Sequence, residues 1–218
     1  MDRHIDSQIE DIKKLMLEMG GYVEKALSTA TEGLIKKDLQ LLNAVHEIEE
    51  NVNELQIKID NACLALLAKQ GPVAKDLRLI LSVIKMNTDL ERMGDQCVNI
   101  AYLGKDVIQR QQDYNMEHIE KMSTSVRLMV KGALDSFVQL DASAAEKTLK
   151  MDDTIDQFKD QIVASSIQKI KEQPILTESC IDIILVARNL ERLGDHATNI
   201  AEDVIFANTG KDIRHGAN

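Results

Sequence analysis

Apolar residues recur at steps of three and four along almost the whole chain, and only two prolines, Pro72 and Pro174, interrupt them. That spacing is the period of an amphipathic helix, because residues three and four apart share one face. It predicts six helices, with apolar runs at 9–34, 41–67, 79–108, 122–137, 144–170 and 181–206. Asp38 and Asp141 stand where the second and fifth runs begin. A short carboxylate at that place accepts from backbone N–H groups that have no partner inside the helix. Each proline falls between two runs, where a missing N–H does least harm. Composition agrees: aromatic residues are 3 % of the chain, Trp is absent, and Leu, Ile, Ala, Glu, Lys and Met supply the bulk. These are residues of long helices rather than sheets.

The punctuation repeats in order. Asp38 matches Asp141, Pro72 matches Pro174, and "LERMGD" matches "LERLGD". Between 89–101 and 189–201, eight of thirteen residues are identical, which makes chance an inadequate source. The chain therefore reads as an all-α protein of two tandem antiparallel three-helix bundles, six long helices related by internal duplication. The first unit covers 1–110, the second 115–207, and 208–218 form a tail, with "RQQDYN" at 110–115 as the joint. Helices of this length span about 45 Å and, joined by short loops, run antiparallel. The bundles are expected side by side or end to end, each with its own core and no sign of a ligand cavity.

Helix geometry turns the repeated string into an arrangement. In the third helix Leu79, Val83, Met86, Leu90, Met93, Cys97 and Ala101 form the buried seam. With Leu90 at zero, Glu91, Asp95 and Asn99 fall at about 100°, 140° and 180°. Glu191, Asp195 and Asn199 repeat that outer flank on the sixth helix. The second helix adds Glu49 and Asn53, each just past a seam residue, and the fifth adds Asp152 and Asp156. Carboxylates one turn apart repel each other and favour a cation. Arg92, Arg192 or a neighbouring lysine can supply it, with Arg188 and Arg192 expected to pair with the stripe. A metal ion is the alternative, because carboxylate and amide oxygens make a hard-donor set. Gly94 and Gly194, unfavourable in mid-helix by about 1 kcal/mol, read as places where another backbone comes close. His196 reads as a surface residue, since Gln96 is its counterpart.

Net charge is −10, which disfavours nucleic acid and anionic membranes as partners. No run reaches the roughly 18 apolar residues of a membrane span, and "MDRHIDSQIEDIKK" lacks the apolar stretch of a signal peptide. Cys63, Cys97 and Cys180 are odd in number and form no CxxC, and Cys63 and Cys97 fall at apolar-periodic positions, so buried reduced thiols in a cytoplasmic protein are expected rather than disulfides.

Duplicated three-helix halves, each carrying "LER(M/L)GDxxxNIA", resemble the PhoU family of phosphate-uptake regulators. The resemblance extends to "KQGPVAKDLRLILSVIK" at 69–85 and "GKDIRH" at 210–215. It implies a cytoplasmic, often dimeric, non-enzymatic protein of phosphate homeostasis. Such a protein acts with the phosphate ABC transporter's ATPase subunit and the phosphate-sensing histidine kinase, in negative regulation of the starvation response. It also implies metal ions, iron or zinc, held by Glu49, Glu91, Asp95 and Asn99 in one half. In the other half the ligands would be Asp152, Asp156, Glu191, Asp195 and Asn199. One departure is Asn53, which stands where the second half has Asp156. The residues themselves leave two other readings: a carboxylate-bridged metalloenzyme, for which the ExxH signature of di-iron bundles is missing, and a helical scaffold with solvated acidic stripes.

Overall fold

The computed structural model describes residues 4–111 and 114–214, so part of the joint (112–113) and the end of the tail (215–218) lie outside the described residues. Three long helices come first: α1, His4–Lys36; α2, Leu39–Gln70; and α3, Ala74–Gln109. The second half comprises α4, Glu117–Gln139; α5, Ala142–Leu149; α6, Asp152–Glu172; and α7, Thr177–Thr209, with a single 3-10 turn, Pro174–Leu176, before α7.

Both predicted caps form. Asp38 accepts from the N–H groups of Gln40 and Leu41 at 2.8 and 3.2 Å, and Asp141 from those of Ser143 and Ala144 at 2.9 and 3.1 Å. The preceding helices also end alike. Lys37 and Leu140 take left-handed φ values of 55° and 49°. The N–H of Asp38 then returns to the Gly33 carbonyl, and that of Asp141 to the Ser136 carbonyl. This six-to-one closure satisfies helix-end carbonyls at both corners.

The run at 144–170 is the exception, because the structure divides it into α5 and α6. The chain tightens over Lys150 and Met151, where the Met151 N–H bonds Thr148 and the Thr154 N–H bonds Met151, both three residues back. A stretch of three-residue bonds changes the helical phase, and periodicity alone does not register so short a change.

The bundles lie side by side, and they share one core. Packing runs α2–α3–α7–α6 in one layer, with α5 also against α7, while α1 and α4 cover the back and touch each other. One continuous apolar cluster joins the halves, from Met16 and Leu27 of α1 to Phe137 of α4 and Leu190 of α7. Leu134 of α4 fills the space beside Gly20 of α1, which ties the back layer across the joint. Separate cores were expected from the duplication; merging them removes more apolar surface from water than two isolated bundles would.

The α3–α7 contact has a definite register. Lys85 bonds Asp203, Asn199 bonds Asp89, Arg110 pairs with Glu178, and Arg78 lies over Gly210; in every pair one number is 288 minus the other. Gly94 therefore stands level with Gly194. Two antiparallel helices related by a repeat in this register have a pseudo-twofold axis normal to their plane. Such an axis leaves equivalent flanks facing the same way.

Candidate functional site: two acidic flanks on one face

In the second half, Asp152 and Asp156 from α6 meet Glu191 and Asp195 from α7. Gly194 makes the approach close: a Cβ added there would lie 3.0 Å from Ile155 Cδ1 and 3.8 Å from Asp152 Oδ1. At Gly94 the neighbours are Val52 Cγ1 at 3.4 Å and Glu49 Cγ at 3.5 Å. The atoms that come near both glycines are side chains of the helix carrying the second acidic pair, not the backbone that the sequence suggested.

Crowding shows in the proton affinities. The Asp152 carboxyl is pushed above the usual range by burial first, then by the charges of Asp195, Asp156, Asp153 and Glu191. Asp195 is raised by burial and by Glu191. In the first half Glu91 is raised by burial and by Asp95, with a smaller contribution from Glu49. Side chains that shift one another in this way face each other across the helix pair.

One cation enters the second set. Lys159 Nζ donates to Asp156 Oδ1 at 2.7 Å and to Glu191 Oε1 at 2.9 Å, linking α6 to α7. Here the stripe's counter-ion is a lysine and not Arg188 or Arg192, which are exposed. Among the described residues the first half shows no lysine in this place, because Gln56 occupies the position of Lys159. Buried Glu49 instead accepts a short bond from Asn53 Nδ2 and lies 3.6 Å from His46 Nδ1.

The asparagines part company. Asn99 is exposed on its flank. Asn199 donates to Asp89 Oδ1 of α3 at 3.2 Å, turned toward the other bundle rather than toward α6. At about 80° beyond Glu191 on the helical wheel, it has passed from the α6 side to the α3 side. His196 is part of the same contact, its Nδ1 2.8 Å from Asp89 Oδ1 with 15 % of the side chain exposed, so it is a seam residue and not a surface one. Beside it opens a polar recess of about 300 Å³ lined by Lys85, Thr88, Asp89, Arg92, Asn199 and Asp203, where the helical pattern predicts no cavity.

Both sets offer a hard cation oxygen donors, and in the second a lysine ammonium already occupies two of them as a stand-in ion. Among the described residues, no three His, Cys, Asp or Glu side chains are drawn together into a closed ligand cage. The flanks are spread and open.

These features define a class: a tandem three-helix repeat protein carrying one acidic flank per repeat, both on the same face. A family model described as the PhoU domain matches residues 16–103 and again 119–204. The chain is 34 % identical over 216 residues to a phosphate-specific transport system accessory protein PhoU homolog of Pseudomonas aeruginosa, covering 99 % of this chain and 89 % of that protein. It is 31 % identical over 219 residues to the PhoU accessory protein of Escherichia coli, with 99 % and 91 % covered. The crystal structure of PhoU from Pseudomonas aeruginosa superposes with a TM-score of 0.91 at 34 % identity, over 95 % of this chain and all of that one (100 %). The chain belongs to the PhoU family.

Proposed function

We propose that the protein is a non-enzymatic accessory regulator of phosphate uptake, and that its two acidic flanks hold metal ions and form its interaction face. The observation that carries this reading is the placement of both carboxylate sets on one face of the four-helix layer, related by the α3–α7 axis. A bound di- or trivalent ion, iron or zinc by the family resemblance, would reverse the local charge. An otherwise acidic surface then offers cationic points to a partner's carboxylates or to phosphate. The residues that would hold it are Glu49, Glu91, Asp95 and Asn99 in one half and Asp152, Asp156, Glu191 and Asp195 in the other. Asn199 would have to leave Asp89 to take part.

The partners are the ATPase subunit of the phosphate ABC transporter and the phosphate-sensing histidine kinase, met in the cytoplasm, with the protein as a homodimer. Support for the transport role comes from the relatives, which are named accessory proteins of the phosphate-specific transport system. No described helix is long and apolar enough to cross a membrane, so contact with a membrane transporter would run through its ATPase subunit.

The test is co-purification of the ATPase subunit with the native chain and with the Glu191→Ala/Asp195→Ala double variant, both shown folded by circular dichroism. Reduced recovery with the double variant is expected. Equal recovery would remove the second flank from partner binding.

A further inference from the structure

The two flanks differ in one respect that their shared ancestry does not explain. Where the first half has Asn53 and Gln56, the second has Asp156 and Lys159, so a neutral pair is replaced by an ion pair at the same two helical positions. Lys159 does more than neutralise its own helix. Its ammonium also reaches Glu191 of α7 at 2.9 Å, and both members of that cross-helix pair are only 26 % exposed. It thus stands among the carboxylates that a metal ion would need to draw together.

We propose that Lys159 is a built-in counter-ion that gates the second flank, making the two sites unequal. The first flank takes a metal ion without displacing a lysine. The second takes one only when Lys159 swings away from Asp156 and Glu191. Once vacated it presents four carboxylates, Asp152, Asp156, Glu191 and Asp195, against the three of Glu49, Glu91 and Asp95. This inference rests on the reading of the flanks as metal sites and adds the residue that sets their difference.

Exclusion follows from charge. An ammonium within 3 Å of two ligand oxygens and a metal ion at the same oxygens repel strongly at any reasonable dielectric. The lysine stem is long and flexible enough to move its charge to solvent, so the gate opens by a rotamer change and not by moving a helix. Filled by its own lysine, the second flank is held closed at low ion concentration and answers only to a higher one.

The experiment is a calorimetric titration of the full chain, first stripped with a chelator, with manganese(II), a hard divalent probe. The native chain is expected to bind in two unequal steps. Lys159→Gln, which keeps length and removes charge, is expected to tighten the weaker step by about tenfold or more. The Asn53→Asp/Gln56→Lys variant, which builds the same ion pair in the first half, is expected to weaken the stronger step. A second readout needs no bound metal: stripped Lys159→Gln should melt lower than native, and saturating manganese(II) should close the gap. Unchanged constants in Lys159→Gln, with ions still binding, would overturn the gate and leave the flanks as metal sites. Failure of every variant to bind manganese(II) would overturn both together.

Discussion

Gly194 lies so close to Ile155 that an added Cβ would be 3.0 Å from Ile155 Cδ1, whereas its counterpart Gly94 leaves 3.4 Å to Val52 Cγ1. The larger distance is ordinary van der Waals contact; the smaller requires the isoleucine to shift. Replacing a mid-helix glycine by alanine gains about 1 kcal/mol of helix propensity. Gly94→Ala should keep most of that gain, and Gly194→Ala should lose most of it to repacking. Urea denaturation of the two variants checks the difference. Equal gains would show that Ile155 yields freely and that the glycine is not needed for packing.

The acidic flanks give stability a definite pH dependence. The carboxyls of Glu91, Asp152 and Asp195 hold their protons more tightly in the folded chain than free carboxyls do. Protonation therefore favours the fold. As pH rises from the ordinary carboxylate range through the raised values, that stabilisation is lost, and at neutral pH the ionised flanks oppose folding. Chelator-treated Asp152→Asn should melt higher than the native chain at neutral pH. The gap should narrow in acid, and also in high salt, where charge repulsion is screened. A variant that melts lower at neutral pH would mean that the Asp152 charge is already compensated within the fold.

The thiols should be inert while the chain is folded. Cys63, Cys97 and Cys180 are free and buried. Burial pushes the Cys63 thiol up to about 12, with help from Asp60, and raises Cys97 and Cys180 as well. Only the thiolate attacks an electrophilic reagent. A disulfide reagent at neutral pH should therefore label none of the three rapidly in native protein and all three in urea. Fast labelling of the native chain would place a cysteine at an open surface.

Most of this arrangement was legible in the order of residues, and the part that was not has a common cause. Helices, the Asp38 and Asp141 caps, the duplication and the flank positions of Glu91, Asp95, Glu191 and Asp195 are local or repeat properties, which period and offset express directly. Lys159, three residues after Asp156, was within reach of the same logic. What the pattern did not contain was the α3–α7 register. Asp89, His196, Asn199, Lys85 and Asp203 meet only because the second repeat packs antiparallel against the first, and no residue spacing within either helix encodes that. The joined core was hidden for the same reason: each half's apolar seam is complete in itself, and periodicity does not show that Gly20 of one back helix receives Leu134 of the other.

That register supplies the last prediction. Asp89, 7 % exposed, is held by His196 Nδ1 at 2.8 Å and by Asn199 at 3.2 Å. A carboxylate only accepts, so Nδ1 carries the proton. Across the pseudo-twofold axis the corresponding residues are Asn189 and Gln96. Asn189 there bonds the Leu185 carbonyl of its own helix, and Gln96 Oε1 is buried without a hydrogen-bond partner. One contact therefore joins the repeats and its mate does not. Removing a donor from a buried carboxylate costs about 1–3 kcal/mol, so His196→Leu should destabilise the chain by that amount. Gln96→Leu should be close to neutral, since it replaces a buried atom that lacks a partner. Denaturation of both variants, closed into a cycle with Asp89→Ala, separates the bond from the packing. If His196→Leu costs the same whether residue 89 is Asp or Ala, the ring contributes by filling space and not through its bond to Asp89.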